Sequence, residues 1–349
     1  MFVLEKLEVS AGLHTQDSTQ VSDATPIEAT FHALPGELIL GRPLKKGAPG
    51  KSDILCANDS SISKEHAVLQ LGSTPGYGLG PTVELKDISR FGTYFRGQKL
   101  ENGGSVSLQN GDVFKLGHKT CFRLRLKPIL LYSSTDLLPD LKAHASTLDA
   151  HVCTKWSPQV THVIQEAGSE LVPAAVAATL THFPVVTGAW LAAMTSRKFF
   201  AAPDLPNPAV YQPDAVLLPQ PSGAGAPYMR TPFSAVLALR SETQLLQGLH
   251  FTFSRGFEDA GLQACISLLG GVVSEAPSKE SLMVTSGTCQ TPTDALPPAM
   301  SAITAAELLV CITTKDRGAL NCRLASPTQP PRKVLLPPGQ QQQQQQQQQ

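Results

Sequence analysis

A glycine followed by an arginine, Gly41-Arg42, and the run Asn58-Asp59-Ser60-Ser61-Ile62-Ser63-Lys64-Glu65-His66-Ala67 contain the residue types with which a protein grips a phosphate. Arginine offers a planar fork for two phosphate oxygens, serine adds a neutral donor, and lysine adds a point charge on a flexible stem. His66, three residues after Ser63, has the chemistry to brace such a loop. A third stretch, Asp87-Ile88-Ser89-Arg90-Phe91-Gly92-Thr93-Tyr94, runs from strand residues through a polar, glycine-containing turn into another strand. The first two pieces lie where an alternating apolar pattern breaks off, which places their polar side chains on loops between strands. Loops on a rigid sandwich are where binding residues collect.

The elements that must hold these loops are short. Residues 1–127 read as strands at Phe2-Val3-Leu4, Glu37-Leu38-Ile39-Leu40, Ala67-Val68-Leu69-Gln70-Leu71, Val83-Glu84-Leu85, Val106-Ser107-Leu108, Val113-Phe114-Lys115-Leu116 and Phe122-Arg123-Leu124-Arg125-Leu126. Little in the segment has helical period, and Asn110-Gly111-Asp112 is a tight-turn sequence between two strands. Frequent short strands with turn signals predict an all-β sandwich.

In order and spacing the three polar pieces resemble the forkhead-associated (FHA) domain, a β-sandwich that reads phosphothreonine. The family's Gly-Arg, Ser-x-x-His and Gly-Thr elements fall on Gly41-Arg42, Ser63-x-x-His66 and Gly92-Thr93. The resemblance implies that Arg42, Ser63 and Lys64 contact the phosphate and that Thr93 lines the same cleft. Gly41, His66 and Gly92 would structure the loops. Phe91 and Arg96 stand where many family members have asparagine, which bears on flanking peptide positions rather than on the phosphate grip.

From Ile129 the pattern alternates between strand and helix, which favours a parallel sheet with helices on its faces. Strand-like Val160-Thr161-His162-Val163-Ile164, followed by a helix carrying Trp190, resembles a BRCT repeat in which the tryptophan is a core anchor. After a stretch dense in Pro, Gly, Ala and Ser, the alternation returns from Leu249, with Gly270-Gly271 resembling the usual BRCT turn and Leu308-Leu309-Val310-Cys311-Ile312 reading as a strand. The expected organisation is an FHA domain at 1–127, BRCT repeats at 129–211 and 245–326, a linker at 212–244, and a disordered tail at 327–349 ending in ten glutamines. Tandem BRCT repeats can grip phosphate with a Ser or Thr after the first strand and a Lys on the second helix. Ser133, Ser134 and Thr135 supply the first part of this weaker second candidate, but residues 171–181 contain no Lys or Arg.

Lys plus Arg and Asp plus Glu number 28 each, so no net charge draws the chain to DNA or to anionic lipid, and direct DNA binding is not expected. Seven scattered cysteines with no C-x-x-C pair fit a reducing compartment and speak against a zinc site. No nucleophile elbow, P-loop, metal helix or glycine fingerprint after a strand is present, so the expectation is no enzyme and no cofactor.

The order FHA, BRCT, BRCT, with Pro128 closing the first segment almost without a spacer, resembles the regulatory-subunit family of a double-strand-break repair complex that also contains a nuclease and a Rad50-type ATPase. The resemblance implies a nuclear, non-catalytic phosphopeptide reader and scaffold of repair and checkpoint signalling. Its partners would be repair and mediator proteins carrying pSer/pThr-Asp motifs, with no membrane partner. Nuclease and ATPase subunits would join them where carboxy-terminal motifs accompany the chain. The alternative is a phosphopeptide-reading module of a larger DNA-processing enzyme, or a different FHA/BRCT adaptor.

Overall fold

In Ala67-Val68-Leu69-Gln70-Leu71 every second side chain is buried, and Val83-Glu84-Leu85-Lys86-Asp87 repeats the alternation. A period of two turns one face of each strand to a core, and here two sheets share it. The computed structural model describes residues 1–8, 25–43, 51–57, 59–73, 81–134, 139–220, 228–278, 281–286, 301–318 and 320.

The sandwich is built from β1 (Phe2–Leu7), β2 (Ile27–Ala33), β3 (Gly36–Gly41), β4 (Ile54–Leu55), β5 (Ala67–Leu71), β6 (Val83–Asp87), β7 (Thr93–Phe95), β8 (Gln98–Lys99), β9 (Ser105–Leu108), β10 (Val113–Leu116) and β11 (Thr120–Leu126). One sheet runs β4-β3-β5-β6-β9. The facing sheet contains β2-β1-β11-β10-β7-β8, and stacked Phe114 and Phe122, with ring centroids 5.6 Å apart, lie in the shared core.

An α/β layer follows: β12 (Leu130–Tyr132), α1 (Pro139–Thr147), β13 (His151–Cys153), β14 (His162–Ile164), α2 (Pro173–Leu180), β15 (Val185–Val186) and α3 (Gly188–Met194). Its four strands are parallel in the order β13-β12-β14-β15. Trp190 on α3 is 3% exposed, stacks on His162 at 4.2 Å and donates its indole N–H to the Pro206 carbonyl, so it anchors the core as expected.

The chain then returns to the sandwich. Strand β16 (Phe199–Ala201) pairs antiparallel with β2, placing Phe200 opposite His32, and it makes the facing sheet seven-stranded. Leu34, just after β2, packs in turn among Ile129, Leu131 and Trp190. Residues Met1–Val216 accordingly form one compact unit. A free edge on β2 would expose unpaired backbone groups, and β16 satisfies them.

The segment read as a linker carries β17 (Ala215–Pro219), β18 (Tyr228–Pro232) and α4 (Phe233–Leu237), with Val216, Leu218, Phe233 and Val236 buried. Proline at a strand end does not interrupt a ladder, so composition alone misread these apolar residues. The second unit, Leu217–Gln349, contains β19 (His250–Phe253), α5 (Ala260–Leu268), β20 (Val272–Val273), β21 (Ser281–Thr285), β22 (Ser301–Thr304) and α6 (Ala305–Thr314). Its parallel sheet runs β20-β19-β21-β22. The expected strand at Leu308-Leu309-Val310-Cys311-Ile312 is instead helical: Thr304 and Glu307 form a capping box, and Leu308, Leu309 and Ile312 bury one helical face. The glutamine run lies outside the described residues. Among the described residues no helix is long and apolar enough to cross a membrane, and no cluster of metal-ligating side chains occurs.

Candidate functional site

At one end of the sandwich, the connections around β4 and between β6 and β7 meet the β10–β11 turn. The backbone sets the spacing: Arg42 N–H donates to the Ser63 carbonyl at 2.9 Å, and His66 N–H donates to the Leu40 carbonyl at 2.8 Å. Gly41 permits this approach, because a Cβ there would come within 2.0 Å of the Lys64 carbonyl oxygen.

His66 is wholly buried and bridges two loops. Its Nδ1 accepts from Ser63 N–H at 3.0 Å and its Nε2–H donates to the Gly92 carbonyl at 3.1 Å, an arrangement that requires the neutral imidazole. Burial holds its pKa below the ordinary value, although the Gly92 carbonyl and the carboxylates of Asp87 and Asp59 pull the other way. Gly92, at φ +103°, makes a turn that a side chain would strain.

Three side chains on these loops carry donors that no acceptor among the described residues takes up. The Ser63 hydroxyl accepts from Arg90 N–H at 3.0 Å and has no acceptor for its own hydrogen among the described residues. Lys64 is exposed and its ammonium has no partner among the described residues. Half-buried Arg42 has its Nε buried without a hydrogen-bond partner among them. An unpaired buried donor costs about 1–3 kcal/mol, and the Arg42 Nε is such a donor without an acceptor, on a loop that adjoins the one carrying Ser63 and Lys64.

Thr93 is placed differently from the expectation. It is 0% exposed and its hydroxyl donates to Asp87 at 2.7 Å, so the side chain braces the loop instead of lining a cleft. The inward position follows from its place as the first residue of β7, whose pleat turns it into the sandwich.

The braces beneath the site were not anticipated. Asp59, 5% exposed, accepts from Ser61 N–H and Oγ–H through one oxygen and from Lys119 N–H and Thr120 through the other. Burial alone would raise its pKa, but the hydrogen bonds from Ser61, Lys119 and Thr120 outweigh it and hold the carboxyl low. Asp87 accepts from Ser89 N–H, and Ser89 Oγ accepts from Gly92 N–H. The available signal was the Asp-x-Ser spacing at 59–61 and 87–89, an Asx-turn pattern.

The FHA domain family model matches residues 38–117, the span that contains every one of these braces but the β10–β11 turn's last residues. A nibrin from Danio rerio is 27% identical over 245 residues, covering 68% of this chain and 28% of that protein. A nibrin homolog from Oryza sativa subsp. indica is 27% identical over 183 residues, covering 47% of this chain and 32% of its own length. The chain is thus similar to nibrins over much of its length.

The fold agrees with that similarity. The S. pombe Nbs1 FHA/BRCT-repeat domain superposes with a TM-score of 0.60 at 14% identity, over 93% of this chain and 99% of that one. Nbs1 in the S. pombe Nbs1-Ctp1 complex gives 0.58 at 14%, over 93% and 97%. The two α/β layers therefore have the fold of BRCT repeats. The chain spans about a third of the length of the curated nibrins it matches.

Within this nibrin-like chain the second candidate is poorly equipped. Ser133 is 5% exposed with its N–H on the Cys153 carbonyl, Ser134 is exposed, and Thr135 lies outside the described residues. Helix α2 presents Pro-Ala-Ala-Val-Ala-Ala-Thr-Leu, without a cation. At the FHA departures, Phe91 is 44% exposed with its ring edge-on to His118, and Arg96 adopts φ +51° with its guanidinium over Phe95 and near Asp112.

Proposed function

We propose that this chain is a non-catalytic reader of phosphothreonine peptides that serves as a scaffold subunit in a nuclear assembly for double-strand-break repair and checkpoint signalling. The observation carrying the reading is the convergence of the unpaired Arg42 Nε, the uncommitted Ser63 hydroxyl hydrogen and the Lys64 ammonium on one loop cluster. A phosphothreonine supplies nearly two negative charges and three acceptor oxygens, which complements that donor set. Gly41, His66 and Gly92 fix the loops, and Thr93 supports them from within. The working domain division is FHA at 1–127 and BRCT repeats at 129–211 and 245–326.

The partners in this reading are repair and mediator proteins with phosphorylated Ser/Thr-Asp motifs. The S. pombe Nbs1 complex with Ctp1 supports the view that chains of this fold hold a second protein. Nuclease and ATPase subunits belong to the same assembly as further proposed partners. A phosphate at Ser133 or Ser134 would lack a cation on α2, so the reading rests on the first site.

Calorimetry with an acidic Thr-Asp peptide, phosphorylated and unphosphorylated, tests the proposal. One site of this size predicts micromolar binding of the phosphorylated form, strengthened by several phosphates through effective concentration. Equal affinity for both peptides would overturn it.

A further inference from the structure

Lys198 belongs to the α/β layer by sequence but contacts the sandwich twice. Its carbonyl accepts from Leu34 N–H at 3.1 Å, immediately before β16 pairs with β2, so its backbone is set by the sheet. Its Nζ lies 2.9 Å from Asp53 Oδ2. That same oxygen accepts from Ile39 N–H at 2.8 Å, and Asp53 N–H donates back to the Ile39 carbonyl at 2.8 Å, which clamps Asp53 onto β3. One residue earlier, Ser52 Oγ–H donates to the Lys64 carbonyl at 2.5 Å, while Arg42 N–H holds the neighbouring Ser63 carbonyl. The two successive carbonyls of Ser63 and Lys64 are thus held by Arg42 N–H and Ser52 Oγ–H, and Ser52 adjoins the clamped Asp53.

We infer that Lys198 is a positioning residue for phosphate recognition, acting through Asp53 and Ser52 on the Lys64 carbonyl and so on the Ser63-Lys64 loop. The ion pair has side chains 43% and 21% exposed, so it contributes little to global stability. Its effect is local: it stops the 52–53 segment from drifting and carrying the Lys64 carbonyl with it. The first BRCT repeat in this way participates in the FHA site without touching the ligand, and the inference rests on the phosphopeptide reading above.

The test uses the full chain with Lys198→Ala, Lys198→Arg and Asp53→Asn, read by phosphothreonine-peptide calorimetry and by amide hydrogen exchange. Lys198→Ala should weaken the peptide about three- to tenfold, within the range of remote coupling, and Lys198→Arg should restore it. Amides of Arg42 and Ser63 should exchange faster in Lys198→Ala and Asp53→Asn, while those of Phe114 and Phe122 stay unchanged. Wild-type affinity together with wild-type exchange at Arg42 and Ser63 overturns the inference while leaving the phosphopeptide reading intact. A uniform rise in exchange with a lowered Tm makes Lys198 a structural tie only and also overturns it. If the parent chain itself fails to distinguish the phosphorylated peptide, the functional reading falls, and this role for Lys198 in recognition falls with it.

Discussion

The imidazole of His66 and the carbonyl oxygen of Gly92, 26 residues apart in sequence, are joined by a 3.1 Å hydrogen bond inside the sandwich. That bond locks the loop carrying Ser63 and Lys64 to the turn before β7. Because the other ring nitrogen accepts from Ser63 N–H, the lock works only with the neutral ring.

A pH dependence follows. The folded pKa of His66 is depressed by burial, so between its ordinary value of 6.5 and the lower folded value the unfolded chain binds more protons. The stabilisation is complete above pH 6.5 and declines as pH falls through the folded value. Histidine NMR titration should show His66 resisting protonation below 6.5, with the Ser63 and Gly92 amides shifting together when it yields. A His66 titration at 6.5 with unmoved amides would contradict the lock.

Arg42→Ala should weaken phosphopeptide binding by about 2 to 4 kcal/mol, since it removes the charged donor of a desolvated pair. Calorimetry should show the unphosphorylated peptide unaffected. Lys64→Ala, which removes an exposed point charge, should cost less and respond more strongly to salt.

Gly41→Ala places a methyl group 2.0 Å from the Lys64 carbonyl oxygen and 2.3 Å from Ser52 Oγ. The nearer atom is backbone and cannot rotate away, so the loops must separate. Overpacking of this kind costs about 1–3 kcal/mol, and a urea midpoint shift with an unchanged m-value should report it.

Asp59→Ala leaves the Ser61 and Lys119 amides without their acceptor, for a loss of about 1–3 kcal/mol in thermal or urea unfolding. Its depressed carboxyl also predicts an acid limb separate from that of His66. This stability is present above the ordinary value of 3.8 and is lost as pH falls through the folded value. Asp59→Asn should remove that limb, visible as a flatter stability profile below pH 4.

Arg42, Ser63 and Lys64 were legible as candidates because a cationic fork, a hydroxyl and an ammonium on strand-to-strand connections suit an anion, and because their spacing resembles the FHA motifs. For Asp59 and Asp87 the Asp-x-Ser spacing signalled a local turn, but an aspartate in a polar loop ordinarily faces water, and nothing local reports that these are buried. Thr93 was assigned to a cleft because the motif carries it, whereas strand pleat decides which way a side chain turns. Helix α6 was misread in part because a short apolar run has no period of its own, and only the Thr304–Glu307 cap distinguishes it.

Local pattern by itself determined the sandwich and the two parallel-sheet repeats and singled out the candidate phosphate residues, because period, turn chemistry and side-chain type are all readable within a few neighbouring positions. Tertiary structure alone decided that β16 closes the edge of β2, that Lys198 reaches Asp53, and that His66 ties Ser63 to Gly92. Each of these joins residues far apart along the chain through backbone groups or single side chains. Such pairings leave no periodic trace, and they form only after the core has brought the two segments together.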